Sequence, residues 1–166
     1  MRERIWRELV QAIHNTEFAC LYAKEQRKYL TWFNISILVF SSGGVLGWPI
    51  WNEFAVVTSV IVALMSLIRL VQPHFIMNDK QLSNLDKIYT FYSNYRNELE
   101  KLWFDFEEAR CDSEKAHKRF YNLKETEKEI SITVNETVRK EPKKLVNLAR
   151  KHSIDYISQV FGYQTK

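Results

Sequence analysis

The stretch "LVFSSGGVLGWPIWNEFAVV", residues 38–57, is apolar at both ends and holds three glycines, a proline and two tryptophans between them. It reads either as the turn of a buried hairpin in a soluble protein or as the outer turn of a hairpin crossing a membrane. The flanks decide. Residues 29–68 carry a single charge, Glu53, while the other 43 of the 44 Lys, Arg, Asp and Glu residues lie outside that block. The averages, 46% hydrophobic and 27% charged over 166 residues, hide this segregation. A helix on the surface of a soluble core alternates apolar and charged faces every turn, and this block does not.

Residues 30–47 and 54–71 make two apolar runs of 18 residues each. At about 1.5 Å per residue each reaches roughly 27 Å, close to the hydrocarbon thickness of a bilayer. Pro49 lacks an N–H and ends the first run, and Trp48 and Trp51 suit the headgroup layer. The expectation is therefore an all-α membrane protein with a two-span transmembrane helical hairpin over 29–72. A buried hairpin in a soluble bundle is the alternative. Arg69 is the main objection to the membrane reading, and it is met by snorkelling to the interface.

The turn has no Lys or Arg, whereas Arg2, Arg4, Arg7, Lys24, Arg27 and Lys28 precede the first run and Arg69 and Lys80 follow the second. The positive-inside rule then places both termini in the cytoplasm and the chain in the inner membrane as a multi-pass protein. The 28 residues before the first run are rich in both charge signs, so no cleavable signal peptide is expected. The acceptor motif Asn135-Glu136-Thr137 has no meaning on the cytoplasmic side. Cys20 and Cys111 have no CxxC neighbour or ligand-spaced His and are expected as free thiols.

Residues 1–28 form an amphipathic cytoplasmic helix. Ile5, Leu9, Ile13, Thr16, Cys20 and Ala23 share a stripe beside Trp6 and Val10. No Gly or Pro precedes Gly43, so this helix can continue unbroken into the first run. Residues 73–166 form a cytoplasmic helical stalk ending in a basic helix. From 74 to 141 there is neither Gly nor Pro, and a three-four spacing persists through Leu85, Ile88, Tyr92, Tyr95, Leu99, Leu102, Phe106, Ala109, Ser113, Ala116, Phe120 and Leu123. That spacing predicts one long helix, 79–129, buried along a coiled-coil-like seam, with Asn78 or Asp79 as its cap. Ser131 to Val134 reads as a β-branched break. Pro142 opens a last helix, 142–161, that folds back over the distal half of the long one, and Gly162 stops it.

Enzyme chemistry has no visible basis: His14, His74, His117 and His152 are scattered, and no HExxH, GxSxG or phosphate-cradling glycine loop occurs. The chain is expected not to be an enzyme and to need no cofactor or metal. The most local charge feature is Arg139, Lys140, Lys143, Lys144, Arg150 and Lys151, with Glu141 the one acid among residues 139–151. It reads as a site for a nucleotide or oligonucleotide whose phosphates Lys and Arg neutralise, as a contact to anionic lipid, or as a solvated face. Thr31, Asn34 and Ser41, near Ser42, share a face of the first run; they line a hydrated path in an oligomer or serve close helix packing. Ala55, Ser59, Ala63 and Ser66 form a small-residue stripe on the second, and Gly43 and Gly44 give the first a place to bend.

The segments "EQRKYLTWFNISILVFSSGGVLGW" and "EFAVVTSVIVALMSLIRLVQP", set between a basic amphipathic helix and a long Gly- and Pro-free helix, resemble the SLATT family. These are small two-transmembrane effectors of bacterial nucleotide-signalling conflict systems. The resemblance covers roughly residues 1–130 and rests on architecture; the effector of Hailong-type anti-phage systems is a similar protein. It implies an oligomeric pore, an ion channel, or a membrane-disrupting effector in antiviral defence; because two spans per chain cannot enclose an aqueous path alone, a homo-oligomer is expected, with a tetramer favoured. Control would come from a nucleotide or short oligonucleotide made by a partner nucleotidyltransferase. Two other readings stay open: a non-conducting membrane scaffold presenting its helical bundle to a protein partner, and a stand-alone channel without nucleotide control.

Overall fold

The computed structural model describes residues 1–46, 60, 63–64, 66–68, 70, 77–138 and 140–162, with side chains for all of these except 40–46. The described chain is all-α, and no strand occurs among the described residues. Four helices have described bounds: α1 (Arg2–Leu46), α2 (Asp79–Glu107), α3 (Ser113–Thr137) and α4 (Lys143–Phe161). By contact the chain divides into two units, residues 1–23 with 83–166, and residues 24–82.

In the first unit the start of α1 and the body of α2 run antiparallel. Glu107 pairs with Arg2, and Glu8 accepts a hydrogen bond of 3.0 Å from the Tyr95 hydroxyl. Most of the expected stripe of α1 is buried: Ile5, Leu9 and Ile13 are sealed from solvent, with Thr16 and Ala23, while Cys20 is half-buried and Ala12, Ala19 and Tyr22 widen the buried face. Leu85, Ile88, Tyr92, Tyr95, Leu99 and Leu102 of α2 meet it. Burial of such side chains stabilises by about 1.5–3 kcal/mol each, before conformational entropy is subtracted. The start of α2 is held by a reciprocal cap: Asn78 Oδ1 accepts from the Gln81 N–H at 2.8 Å, and Gln81 Oε1 accepts from the Asn78 N–H at 3.1 Å.

The single long helix does not form. It breaks after Glu107 and restarts at Ser113. The N–H of Arg110 donates to the Asp105 carbonyl at 2.8 Å and that of Ala109 to the Phe106 carbonyl at 3.2 Å, which is the bonding pattern of a Schellman C-cap. Ala109 takes the left-handed position, φ 55°, where glycine is usual. Asp112 then caps α3, its carboxylate accepting from the Lys115 N–H at 2.8 Å. The seam residues Ala109 and Ser113 are exposed in this turn, Phe106 and Leu123 are half-buried, and Ala116 and Phe120 are buried again on the far side. A seam that keeps its phase across the turn belongs to two antiparallel helices: Arg119 on α3 reaches back to Asp105 on α2 at 2.8 Å.

Two further expectations change. The β-branched run 131–134 stays helical, because its propensity cost of a few tenths of a kcal/mol per residue is small beside tertiary packing; α3 ends instead at Thr137, with Val138 as its C-cap. The last helix does not cover a distal half, since α2 and α3 fold back on each other. It lies on α1 and α2: Tyr156 donates to Glu100 at 2.6 Å, Phe161 stacks on Phe104 at 5.5 Å and on the edge of Trp6 at 5.2 Å, and His152 sits 3.5 Å from Glu17. The result is an up-down-up-down arrangement in which α3 and α4 each touch both α1 and α2. Pro142 is the N-cap of α4 and not its first helical residue, and Gly162 closes α4 in the left-handed conformation, as expected.

In the second unit α1 continues without a break to Leu46, and the described residues between 60 and 70 are helical. Their apolar side chains face outward: Trp32, Leu38, Val60, Leu67 and Leu70 are all more than half exposed. Among the described residues no helix is long and apolar enough to cross a membrane. Side chains of the first apolar run are described only for residues 30–39, about 15 Å of helix. The turn 47–59, Arg69 and most of the second run lie outside the described residues.

Candidate functional site

The basic helix face comes first, because α4 brings its members together. Lys143, Arg150, Lys151 and Lys144 fall within about a third of the helix circumference, with Asn147 at the middle. All four are exposed, as is Lys140 in the preceding loop. None of these five has a carboxylate partner among the described residues. Arg139 lies outside the described residues. The opposite side of α4 buries Leu145, Ala149 and Ser153, which fixes the rotation of the helix and holds the basic face toward solvent. Exposed along the outside of the helix, this face can meet an extended anion.

A second basic cluster sits at the α2–α3 turn, where sequence reading saw uninterrupted helix. Arg110, Lys115, Lys118 and Arg119 line an open cavity of about 410 Å³ with Cys111 and the carboxylate of Asp105. Hydrogen bonding to Asp105 is the main cause raising the Arg119 pKa, with Cys111 as a further neighbour. Asp112 followed by Ser113 and Glu114 was the signal available for this turn: a capping residue and an acid in the first turn.

A polar network joins α1, α2 and α3 inside the first unit. Glu8 of α1 accepts from Tyr95 of α2 and from Lys124 of α3, both at 3.0 Å, and Lys124 also donates to Glu127 at 2.6 Å. Burial and the Glu8 carboxylate push the Tyr95 hydroxyl far up, so it donates at any physiological pH. Burial alone would lower the Lys124 ammonium, but its hydrogen bonds to Glu127 and Glu8 outweigh that and raise it. Tyr156 is pushed up to about 12 by burial and by its bond to Glu100, while the Arg96 guanidinium 5.1 Å over its ring opposes. The network ties three helices together.

The polar face of the first apolar run is only partly in view. Thr31 and Asn34 are exposed on α1; Ser41 and Ser42 belong to the same helix, but their side chains lie outside the described residues. His14 and His152 lie on the facing helices α1 and α4, His14 near Arg150 and Glu141 and His152 beside Glu17, whereas His117 packs on Tyr121 at 4.6 Å on α3. Among the described residues no group of three or more His, Cys, Asp or Glu could hold a metal ion. Cys20 and Cys111 are free thiols, both half-buried. No family model, curated protein or solved structure matches this chain.

Proposed function

We propose that the chain is a homo-oligomeric membrane effector that forms or gates a pore under the control of a nucleotide or short oligonucleotide. The observation that carries this reading is the change of character along one unbroken helix. Up to Ala23, α1 buries its apolar residues against α2; beyond Tyr29 the same helix turns Trp32, Ile35, Leu38 and Val39 outward. Exposed apolar residues in a nearly charge-free block are costly in water and favourable in lipid. In this reading residues 30–47 and 54–71 cross the bilayer with both termini cytoplasmic, and the first unit is the cytoplasmic bundle. Two spans cannot enclose water alone, so a path along Thr31, Asn34, Ser41 and Ser42 needs several copies, about four or more. The exposed face of Lys140, Lys143, Lys144, Arg150 and Lys151 offers the ligand its phosphate contacts. The resemblance to SLATT effectors of anti-phage systems agrees with this assignment.

The test is conductance. Purified protein reconstituted into liposomes should release a small trapped ion, and the rate should change when an oligonucleotide is added. Tight liposomes containing correctly inserted protein, with and without the oligonucleotide, would leave the non-conducting scaffold in place of the pore. Reporters before Met1 and after Lys166 on opposite sides of the membrane would end the hairpin itself.

A further inference from the structure

We propose that the cavity at the α2–α3 turn binds a compact phosphate anion, of the size of pyrophosphate or the phosphate tail of a small nucleotide. This proposal rests on the first unit alone and is independent of whether the protein conducts. The volume, about 410 Å³, lies in the range of roughly 300–1,000 Å³ typical of small-ligand sites. Its polar lining is lopsided: two guanidinium and two ammonium groups face one carboxylate. Lys115, Lys118 and Arg119 stand at i, i+3 and i+4 of α3 and so share one helix face. Arg110 is brought onto that face by the left-handed Ala109, which reverses the chain between α2 and α3.

The cations are held apart and aimed without being consumed. Asp105 fixes Arg119 at 2.8 Å, Glu108 fixes Arg110, and Asp112 lies 3.9 Å from Lys115, a loose pair that a phosphate oxygen can outcompete. Lys118 has no ion-pair partner among the described residues. Two guanidinium groups offer paired donors to tetrahedral oxyanions, and two lysines add point charge. No aromatic ring lines the cavity, so nothing there stacks a base and the phosphate is what is recognised. The cavity lies at the end of the bundle where α1 begins and α2 finishes.

Cys111 lines the cavity and reports its occupancy. In the full-length protein in nanodiscs of zwitterionic lipid, pyrophosphate should slow alkylation at Cys111, followed by peptide mass spectrometry. Added salt should weaken the protection. Replacing Lys115→Gln and Lys118→Gln together should raise the pyrophosphate concentration needed by roughly tenfold or more, with helicity unchanged, because charge-assisted hydrogen bonds are lost. Lys87→Gln with Lys128→Gln, which removes the same charge elsewhere on α2 and α3, should leave protection intact. Absence of protection, or equal protection in the Lys115/Lys118 variant, overturns the site. Protection by phosphatidic acid in the nanodisc but not by soluble pyrophosphate overturns the soluble ligand and names a headgroup instead.

Discussion

One helix carries two kinds of apolar surface. In residues 1–23 of α1, Ile5, Leu9 and Ile13 have no exposed area, whereas Leu38 on the same helix is 67% exposed. The backbone is helical in both places, so propensity does not separate them. Periodicity does. The first stretch interleaves Arg, Glu and Gln with its stripe and needs one apolar neighbour, which α2 supplies; residues 29–39 carry no charge and turn Trp32, Ile35, Leu38 and Val39 outward beside Thr31 and Asn34. Side-chain pattern, and not backbone conformation, distinguishes the two stretches.

The largest test of that contrast is a charge placed in each region. Leu99→Asp puts a carboxylate at a position with no exposure, and should cost more than about 4 kcal/mol, enough to unfold a bundle of ordinary stability. Leu67→Asp, at a position 57% exposed, should leave thermal unfolding of the bundle unchanged and reduce the membrane-extracted fraction. Equal unfolding of both variants by circular dichroism would break the distinction. Phe106→Asp is a gentler version of the first test, because that ring is half-buried beside the turn.

Next in size is the turn that replaces the long helix. Ala109→Gly should stabilise the bundle by about 1 kcal/mol, since glycine occupies φ 55° without the Cβ penalty, and Ala109→Val should destabilise it. In a continuous helix the order would reverse, with glycine the costlier substitution, so denaturant midpoints of the two variants decide between hairpin and stalk. Asp112→Ala should remove about 1 kcal/mol through loss of the α3 cap. A loss no larger than that of Glu114→Ala would show that α3 does not start there.

The smallest effect is on pH dependence within the bundle. His14 is held below its ordinary value of 6.5, first by burial and then by Arg150, against the opposing Glu141. With the folded pKa below the unfolded one, the unfolded chain binds the extra proton first. Stability is therefore intact above about pH 6.5 and declines as pH falls from there through the folded pKa. Melting temperatures at about pH 7.5 and about pH 5.5 should differ less in His14→Gln than in the wild type. An unchanged difference would clear His14 of that role.

Much of this fold was readable from residue spacing. The stripe of α1 apart from the half-buried Cys20, the seam of α2 from Leu85 to Leu102, the choice of Asn78 or Asp79 as cap, of which Asn78 is the one used, and the Gly162 stop depend on local patterns. The α2–α3 turn was hidden because its reversal uses Ala109 where Gly would have announced it, and because the seam stays in phase on both sides. The site was half legible. Lys143, Lys144, Arg150 and Lys151 share a face because helix spacing says so, as do Lys115, Lys118 and Arg119, but the addition of Arg110 to the latter depends on the turn and has no signature in a helix read straight through.

The pairing of the first helix with the second has a consequence in time. Arg2 and Glu107 stand 105 residues apart in the chain. At about 5–20 residues per second, a ribosome needs roughly 5–20 s to make that interval. For most of it Ile5, Leu9 and Ile13 lack their cover, because Leu85 to Leu102 of α2 are made only toward its end. The nascent chain thus shows an oily stripe flanked by arginines before it can fold. That stripe must be kept from sticking elsewhere until the hairpin of α2 and α3 arrives to close over it.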